Sequence, residues 1–202
     1  AAVSFLPQHA RDALRENTPF YINKSMEFGP QVAPINAEGM EYHPSEEWLE
    51  SVGMSIDKAK CIELYQAEEY FDDVEVWGMG GSLLHELAHA YHDKMLENGL
   101  DNKEILACYR AAMNEGLYNN ILTKQGKDDD GNQSYEREKG YHCQDESEYF
   151  AELSAAFLGG IVEGEEYNKN QPFNRYELKI FDPRGYRMLQ KMWKVKCEER
   201  SE

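Results

Sequence analysis

The sequence predicts an α+β fold, mainly helical, with a small β-sheet packed against the first long helix. Three observations lead there. The 202-residue chain is 41% apolar and 29% charged, the balance of a folded domain able to bury a real core. Helical spacing and capping signals dominate from residue 80 onward. Ahead of them, Cys61-Ile62-Glu63-Leu64-Tyr65 alternates polar and apolar residues as a strand does. One domain over residues 1–202 follows, with an N-terminal lobe (1–79) holding the sheet and a helical lobe (80–202).

The elements follow in order. Residues 1–44 contain five of the seven prolines and predict short pieces and turns. Pro44-Ser45 before Glu46-Glu47-Trp48-Leu49 predicts a short helix, with Ser45 as its cap and acids in its first turn. The cleanest helix runs from Gly80-Gly81-Ser82 through Leu83–Tyr91, with Ser82 as cap and Asn98-Gly99 as the left-handed exit. A second helix is expected over 104–122, and residues 124–140 read as a long polar loop. A third helix runs from Asp145 to Leu158 and stops at Gly159-Gly160. A fourth spans Pro183 to Glu199, with Leu189, Met192, Trp193 and Cys197 on one core-facing side.

Charge narrows the function. With 38 acidic and 21 basic residues the net charge is −17, and such a surface repels nucleic-acid phosphates and anionic lipid headgroups. Neither partner is expected, and no apolar run is long enough to span a membrane. Cys61, Cys108, Cys143 and Cys197 stand far apart without a CxxC pair, which argues against a structural zinc knot. Two disulfides in a secreted, extracellular protein are one reading and four buried thiols in a cytosolic one the other; the even number, with Ala1 rather than Met at the start, favours the first, and a monomer is expected. Two Asn-x-Ser sequons, at Asn23 and Asn132, are too near chance to add to that.

The chemistry sits in His85-Glu86-Leu87-Ala88-His89, an HExxH motif on a helix. Residues four apart lie one turn above each other, so both imidazoles reach a single ion. Glu86 lies about 100° round the helix from His85, where it flanks the ion and can take a proton from water. Small Ala88 and Ala90 allow close packing.

A zinc ion needs a third protein ligand. His92 and Met95 occupy the places where a metzincin needs Gly and His, and Tyr109 stands where a thermolysin-like enzyme has its Glu. Glu115 is a distant candidate. The stronger one is Glu148-Tyr149-Phe150-Ala151-Glu152, two carboxylates four apart on an otherwise apolar helix. They would be costly to bury without a cation. One of the pair would bind the ion, and the other would orient a ligand imidazole.

An HExxH motif followed some sixty residues later by Glu-Tyr-Phe-Ala-Glu resembles the gluzincin-type catalytic domain of anthrax lethal factor and the clostridial Pro-Pro endopeptidases. That resemblance implies a zincin-like fold and a zinc metalloendopeptidase acting on a peptide or protein substrate. It implies His85, His89 and Glu148 as ligands and Glu86 as general base. Tyr141, seven residues before Glu148, would assist the transition state. It also implies that the 61–65 strand lies above the metal helix and pairs with an extended peptide. Tyr42-His43-Pro44-Ser45…Trp48-Leu49 and Phe181-Asp182-Pro183…Tyr186…Leu189…Trp193 resemble uncharacterised secreted zincins with the same core. His142-Cys143 after Tyr141 departs from the pattern and leaves open a disulfide or a further ligand beside the ion. A zinc-binding protein of this fold without turnover is the rival reading.

Other features have plainer explanations. His92 is expected to pack or to face solvent rather than to touch a second ion, and Tyr91 to pack along its helix. Asp128, Asp130 and Asn132 begin like a calcium loop, but Gln133 and Lys139 stand where that loop needs Gly and Glu. A solvated loop is expected there. His43 and His9 have no partner visible in the sequence.

Overall fold

A computed structural model describes residues 2–24, 39–128, 130–160 and 164–196. The N-terminal lobe begins with helices α1 (Ala2–Phe5) and α2 (Gln8–Asn17). Strands β1 (Phe20–Ile22) and β2 (Met40–Tyr42), helix α3 (Glu46–Ser51) and strand β3 (Ile62–Leu64) follow. Helix α4 (Tyr70–Trp77) leads into α5 (Gly81–Met95), which carries the HExxH motif. Beyond it come α6 (Lys103–Asn114), strands β4 (Ile121–Lys127) and β5 (Gln133–Glu138), α7 (Glu146–Gly159), α8 (Arg175–Phe181) and α9 (Pro183–Met192). The architecture is mixed α and β with helices dominant, as the α+β expectation requires. No described helix is long and apolar enough to cross a membrane.

The sheet has the order β1-β3-β2, with β1 parallel and β2 antiparallel to β3. Ile62 and Tyr42 turn one face toward α5 and join the main core. Glu63 and Tyr65 turn to the other face, which α3 covers with Trp48 and Leu49. The predicted Ser45 cap is present: its hydroxyl accepts the Trp48 N–H at 3.1 Å. Glu63 is fully buried between three donors, Lys58 Nζ at 2.5 Å, Asn23 Nδ2 at 2.6 Å and His43 Nε2 at 2.9 Å. His43 thus has the partner the sequence did not reveal, and the group ties β3 to the residues just after β1 and β2 and to the turn that precedes it.

Helix α7 is the buried axis of the helical lobe, with α5 on one side and α6, α8 and α9 around it. Its fully buried Phe150 stacks on Trp193 at 5.9 Å, and Trp193 stacks on Tyr91 of α5 at 4.1 Å. The Trp193 Nε1–H donates to Ser154 Oγ at 2.9 Å, so this large side chain is buried without an unmet donor. Asp182 caps α9 through the Gly185 N–H and accepts the hydroxyls of Tyr118 and Tyr149 at 3.0 and 2.6 Å. One buried carboxylate therefore joins α7, α9 and the chain before β4.

Several expectations are corrected. The first 44 residues include a ten-residue helix, α2, entered through Pro7 and anchored by buried Ala10 and Leu14 one turn apart. The helix expected over 104–122 stops at Asn114. There Gly116 takes a left-handed φ of 66°, and the Leu117 N–H turns back to the Ala112 carbonyl. The supposed loop 124–140 is largely the β4–β5 hairpin, closed by Asp128 Oδ1, which accepts the N–H groups of Asp130 and Asn132. The fourth helix ends at Met192, and Lys194 turns left-handed at φ 53°. Its Leu189, Met192 and Trp193 are buried as expected, while Cys197 lies outside the described residues. Helices α4 and α8 were not anticipated. Among the described residues no disulfide joins Cys61, Cys108 or Cys143, which does not count against the expected pairing.

Two predictions follow from this packing. Trp193→Ala removes a fully buried indole and is expected to cost about 3–5 kcal/mol of stability, read from urea denaturation. His92, fully buried beside Phe150 with neither ring nitrogen hydrogen-bonded, has its pKa lowered to about 4 by burial and by His89, against the favourable charge of Asp93. The unfolded chain binds this proton below pH 6.5 and the folded chain only below about 4. Stability is therefore full above pH 6.5 and falls as the pH drops toward 4, by on the order of 3 kcal/mol from this group. In His92→Phe, the slope of denaturation midpoint against pH should be shallower across that interval.

Candidate metal centre

Helix α5 is started by a neighbour rather than by its own cap. Ser82 was expected to cap it, but lies inside the first turn, where its N–H and hydroxyl both donate to Asp73 Oδ2 at 3.3 and 2.6 Å. Asp73 belongs to α4, so α4 supplies the acceptor for the orphan donor. Gly81 takes a left-handed φ of 55°, and a Cβ there would press on Val74 at 3.2 Å. This sharp entry sets His85 and His89 on the face that meets α7. Helix α5 ends at Met95 with Leu96 extended, so the left-handed Asn98 and Gly99, expected to close the helix, come only after it has ended.

Helix α7 presents its first turn to the same place. Asp145 Oδ1 accepts the N–H groups of Ser147 and Glu148, each at 2.9 Å, and this cap fixes where Glu148 points. Glu148 Oε2 lies 3.0 Å from His85 Nε2 and 3.3 Å from His89 Nε2, and the two Nε2 atoms are 3.0 Å apart. A tetrahedral ion with bonds of about 2.0–2.1 Å holds its ligands about 3.3 Å from one another, close to this spacing. Two imidazole nitrogens and one carboxylate oxygen could thus hold a divalent transition ion.

Polar groups lie behind both imidazoles of the triad. His89 Nδ1 meets Ser147 Oγ at 2.8 Å. His85 Nδ1 faces Glu152 Oε1 at 3.5 Å. Both Nε2 atoms are then left to face the centre. Glu152 is fully buried, and its Oε2 accepts from Asn170 Nδ2 at 3.0 Å and Asn168 Nδ2 at 3.2 Å. His142 comes within 3.9 Å of the same oxygen but lies flat on Tyr118, and it is not among the residues whose ligand atoms converge. Burial raises the Glu148 carboxyl, and the two imidazoles override it and hold it well below the usual range.

Glu86 is almost wholly buried beside the triad, and its Oε2 accepts the Tyr42 N–H of β2 at 2.6 Å. Burial pushes its pKa up, with His85 and His89 pulling the other way. Tyr141 lies on the 3₁₀ turn Tyr141–Cys143, 46% exposed, with its ring 6.2 Å from that of His85. Burial and the charges of Glu148 and Glu86 keep its phenol protonated. All five predicted site residues line one cleft of about 910 Å³.

Other candidates fall away. Glu115 is exposed and paired with Arg184 at 2.8 Å, outside the cleft. His92 packs against Phe150, as expected. β3 cannot take an added strand, since β1 and β2 occupy both its edges; β2 is the strand beside the cleft. Sequence reasoning missed Asn168, Asn170, Trp77 and the Tyr42 main chain. No spacing rule links any of them to the motif. Trp77 sits edge-on to His85 at 5.5 Å.

No family model, curated protein or solved structure matches this chain.

If Glu152 orients His85 as its position implies, Glu152→Ala should weaken zinc binding about 10–100-fold, read by competition with a chelating dye. Glu152→Gln, which keeps an acceptor toward His85, should lose less.

Proposed function

We propose that this protein is a zinc-dependent peptidase, its ion held by His85, His89 and Glu148. The observation that carries the reading is the convergence of three ligand atoms from α5 and α7 within one cleft, with Glu86 beside them. When bound, zinc acts as a Lewis acid on a carbonyl and lowers the pKa of water. The chain supplies the rest. Glu86 takes a proton at one carboxylate oxygen and returns it to the leaving amine, while the Tyr42 N–H holds the other oxygen still. Burial, which raises its pKa, suits it to hold that proton briefly. The Tyr141 phenol, protonated and open to the cleft, donates to the oxyanion as charge develops. Beside the Tyr42 N–H, which Glu86 holds, the outer edge of β2 offers its remaining main-chain groups to an extended peptide and aligns it with these side chains.

A second reading, a zinc-binding protein without turnover, draws on the Tyr42 contact, which already occupies one oxygen of the base. The two are separated by Glu86→Gln. For a peptidase, wild type should hold one zinc per chain and cleave a peptide library, and Glu86→Gln should keep the metal while losing at least about 10³-fold in rate. Metal content should fall with Glu148→Ala and stay with Glu115→Ala. Full activity in Glu86→Gln, or a folded wild type that takes up no zinc, would sink the reading. Zinc without cleavage in wild type would favour the second.

A further inference from the structure

Past the metal triad, the cleft continues over the outer edge of β2 to Glu41, Pro44, Trp48 and Tyr65. Strand parity fixes what this end of the cleft meets. The Gly39 carbonyl accepts the Tyr65 N–H and the His43 N–H donates to the Cys61 carbonyl, so residues 39, 41 and 43 direct their main-chain groups to β3. Met40 and Tyr42 direct theirs the other way, where the Tyr42 N–H meets Glu86. A peptide lying antiparallel along that edge places one residue opposite Glu41 in a pair without mutual hydrogen bonds. In such pairs the Cα atoms are about 4.5 Å apart and the side chains are at their closest. That side chain projects on the Glu41 face, and its two neighbours project toward α5 and the metal triad.

The chemistry around Glu41 is lopsided. Glu41 and Glu63 are cross-strand partners on the same face of the sheet. Lys58, His43 and Asn23 surround Glu63. Half-buried Glu41 accepts only the Tyr65 hydroxyl, at 2.5 Å, and among the described residues it forms no salt bridge. On the same wall of the cleft, packed with Tyr65, the Trp48 ring is pinned by stacking on His43 at 5.4 Å and 25°. A fixed indole on one wall with an unneutralised carboxylate is a setting that takes a guanidinium or ammonium group. Asp73, Glu138 and Asp145 also line the cleft, against Lys139 and Lys169, in a chain of net charge −17.

We infer that Glu41, Trp48 and Tyr65 form a subsite for a basic side chain, so that the substrates are peptides carrying Arg or Lys at the residue opposite Glu41. This rests on the peptidase reading for the substrate being a peptide. The test is equilibrium binding, which needs no turnover. Fluorescein-labelled nonapeptide pools, randomised except for a central Arg, Lys, Gln or Glu, are titrated into the zinc-loaded Glu86→Gln protein. The Arg and Lys pools should bind about tenfold more tightly than the Gln pool. Adding Glu41→Gln should erase that difference, and adding Glu41→Arg should favour the Glu pool. Glu115→Gln removes a charge outside the cleft and should change nothing. Trp48→Leu, a second variant away from the strand, should lose part of the preference. Equal binding of the Arg and Gln pools, a preference that survives Glu41→Gln, or no binding by any pool would overturn the subsite. Wild type that cleaves the library without regard to basic residues would also overturn it while leaving the peptidase reading standing. Basic-pool selectivity in a protein that cleaves nothing would leave the subsite and remove the peptidase.

Discussion

Helices α5 and α7 meet along a line that changes character from one end to the other, and the candidate site depends on that line. At its polar end His85 faces Glu148 and Glu152, and His89 faces Ser147. Further along, His92 lies against Phe150, and Tyr91 and Phe150 both stack on Trp193. The apolar end supplies the packing that holds the polar end together. Without it, buried carboxylates one turn apart on α7 would repel each other and draw in water. With it, they are held against two imidazoles at distances of 3.0–3.5 Å. A cation at the centre of such a cluster relieves the cost of burying it.

The N-terminal lobe repeats the same physics at smaller scale. Glu63 is as fully buried as Glu152 and is likewise satisfied on more than one side, by Lys58, Asn23 and His43. Removing one partner would leave a buried charge uncompensated, so the group locks the sheet whether or not it adds net stability. That locking reaches the candidate metal centre through β2. One edge of β2 is bound to β3, and the other carries the Tyr42 N–H that fixes Glu86.

What could be read from the sequence follows from how local each signal is. Helix α7 was legible because its cap Asp145, its carboxylates and its closing glycines all lie within sixteen residues. The HExxH spacing encodes a shared helix face, and the structure brings its two histidines to Glu148. The β4–β5 hairpin was not legible, since Gln133–Glu138 is mostly exposed and polar and shows no apolar alternation to mark a strand. Helix α5 misled at Ser82 because its first-turn acceptor, Asp73, comes from a preceding helix that the sequence reading did not foresee. Asn168 and Asn170 were out of reach for a deeper reason. They meet Glu152 across sixteen and eighteen residues of chain, on a segment with no regular period.

Charge ties these scales together. A net charge of −17 would favour a looser fold through self-repulsion, yet among the described residues the buried carboxylates are each matched by close donors. The excess acidity is therefore carried on the surface and along the cleft, where solvent and salt can screen it. A cleft lined by Glu41, Asp73, Glu138 and Asp145 favours the approach of cations over that of anionic ligands. Selectivity between those cations is then left to geometry. The triad offers three ligand atoms at the spacing of a small ion, while the Glu41 end offers one carboxylate and a flat ring, too few ligands to strip an ion of its water but enough for a side-chain cation.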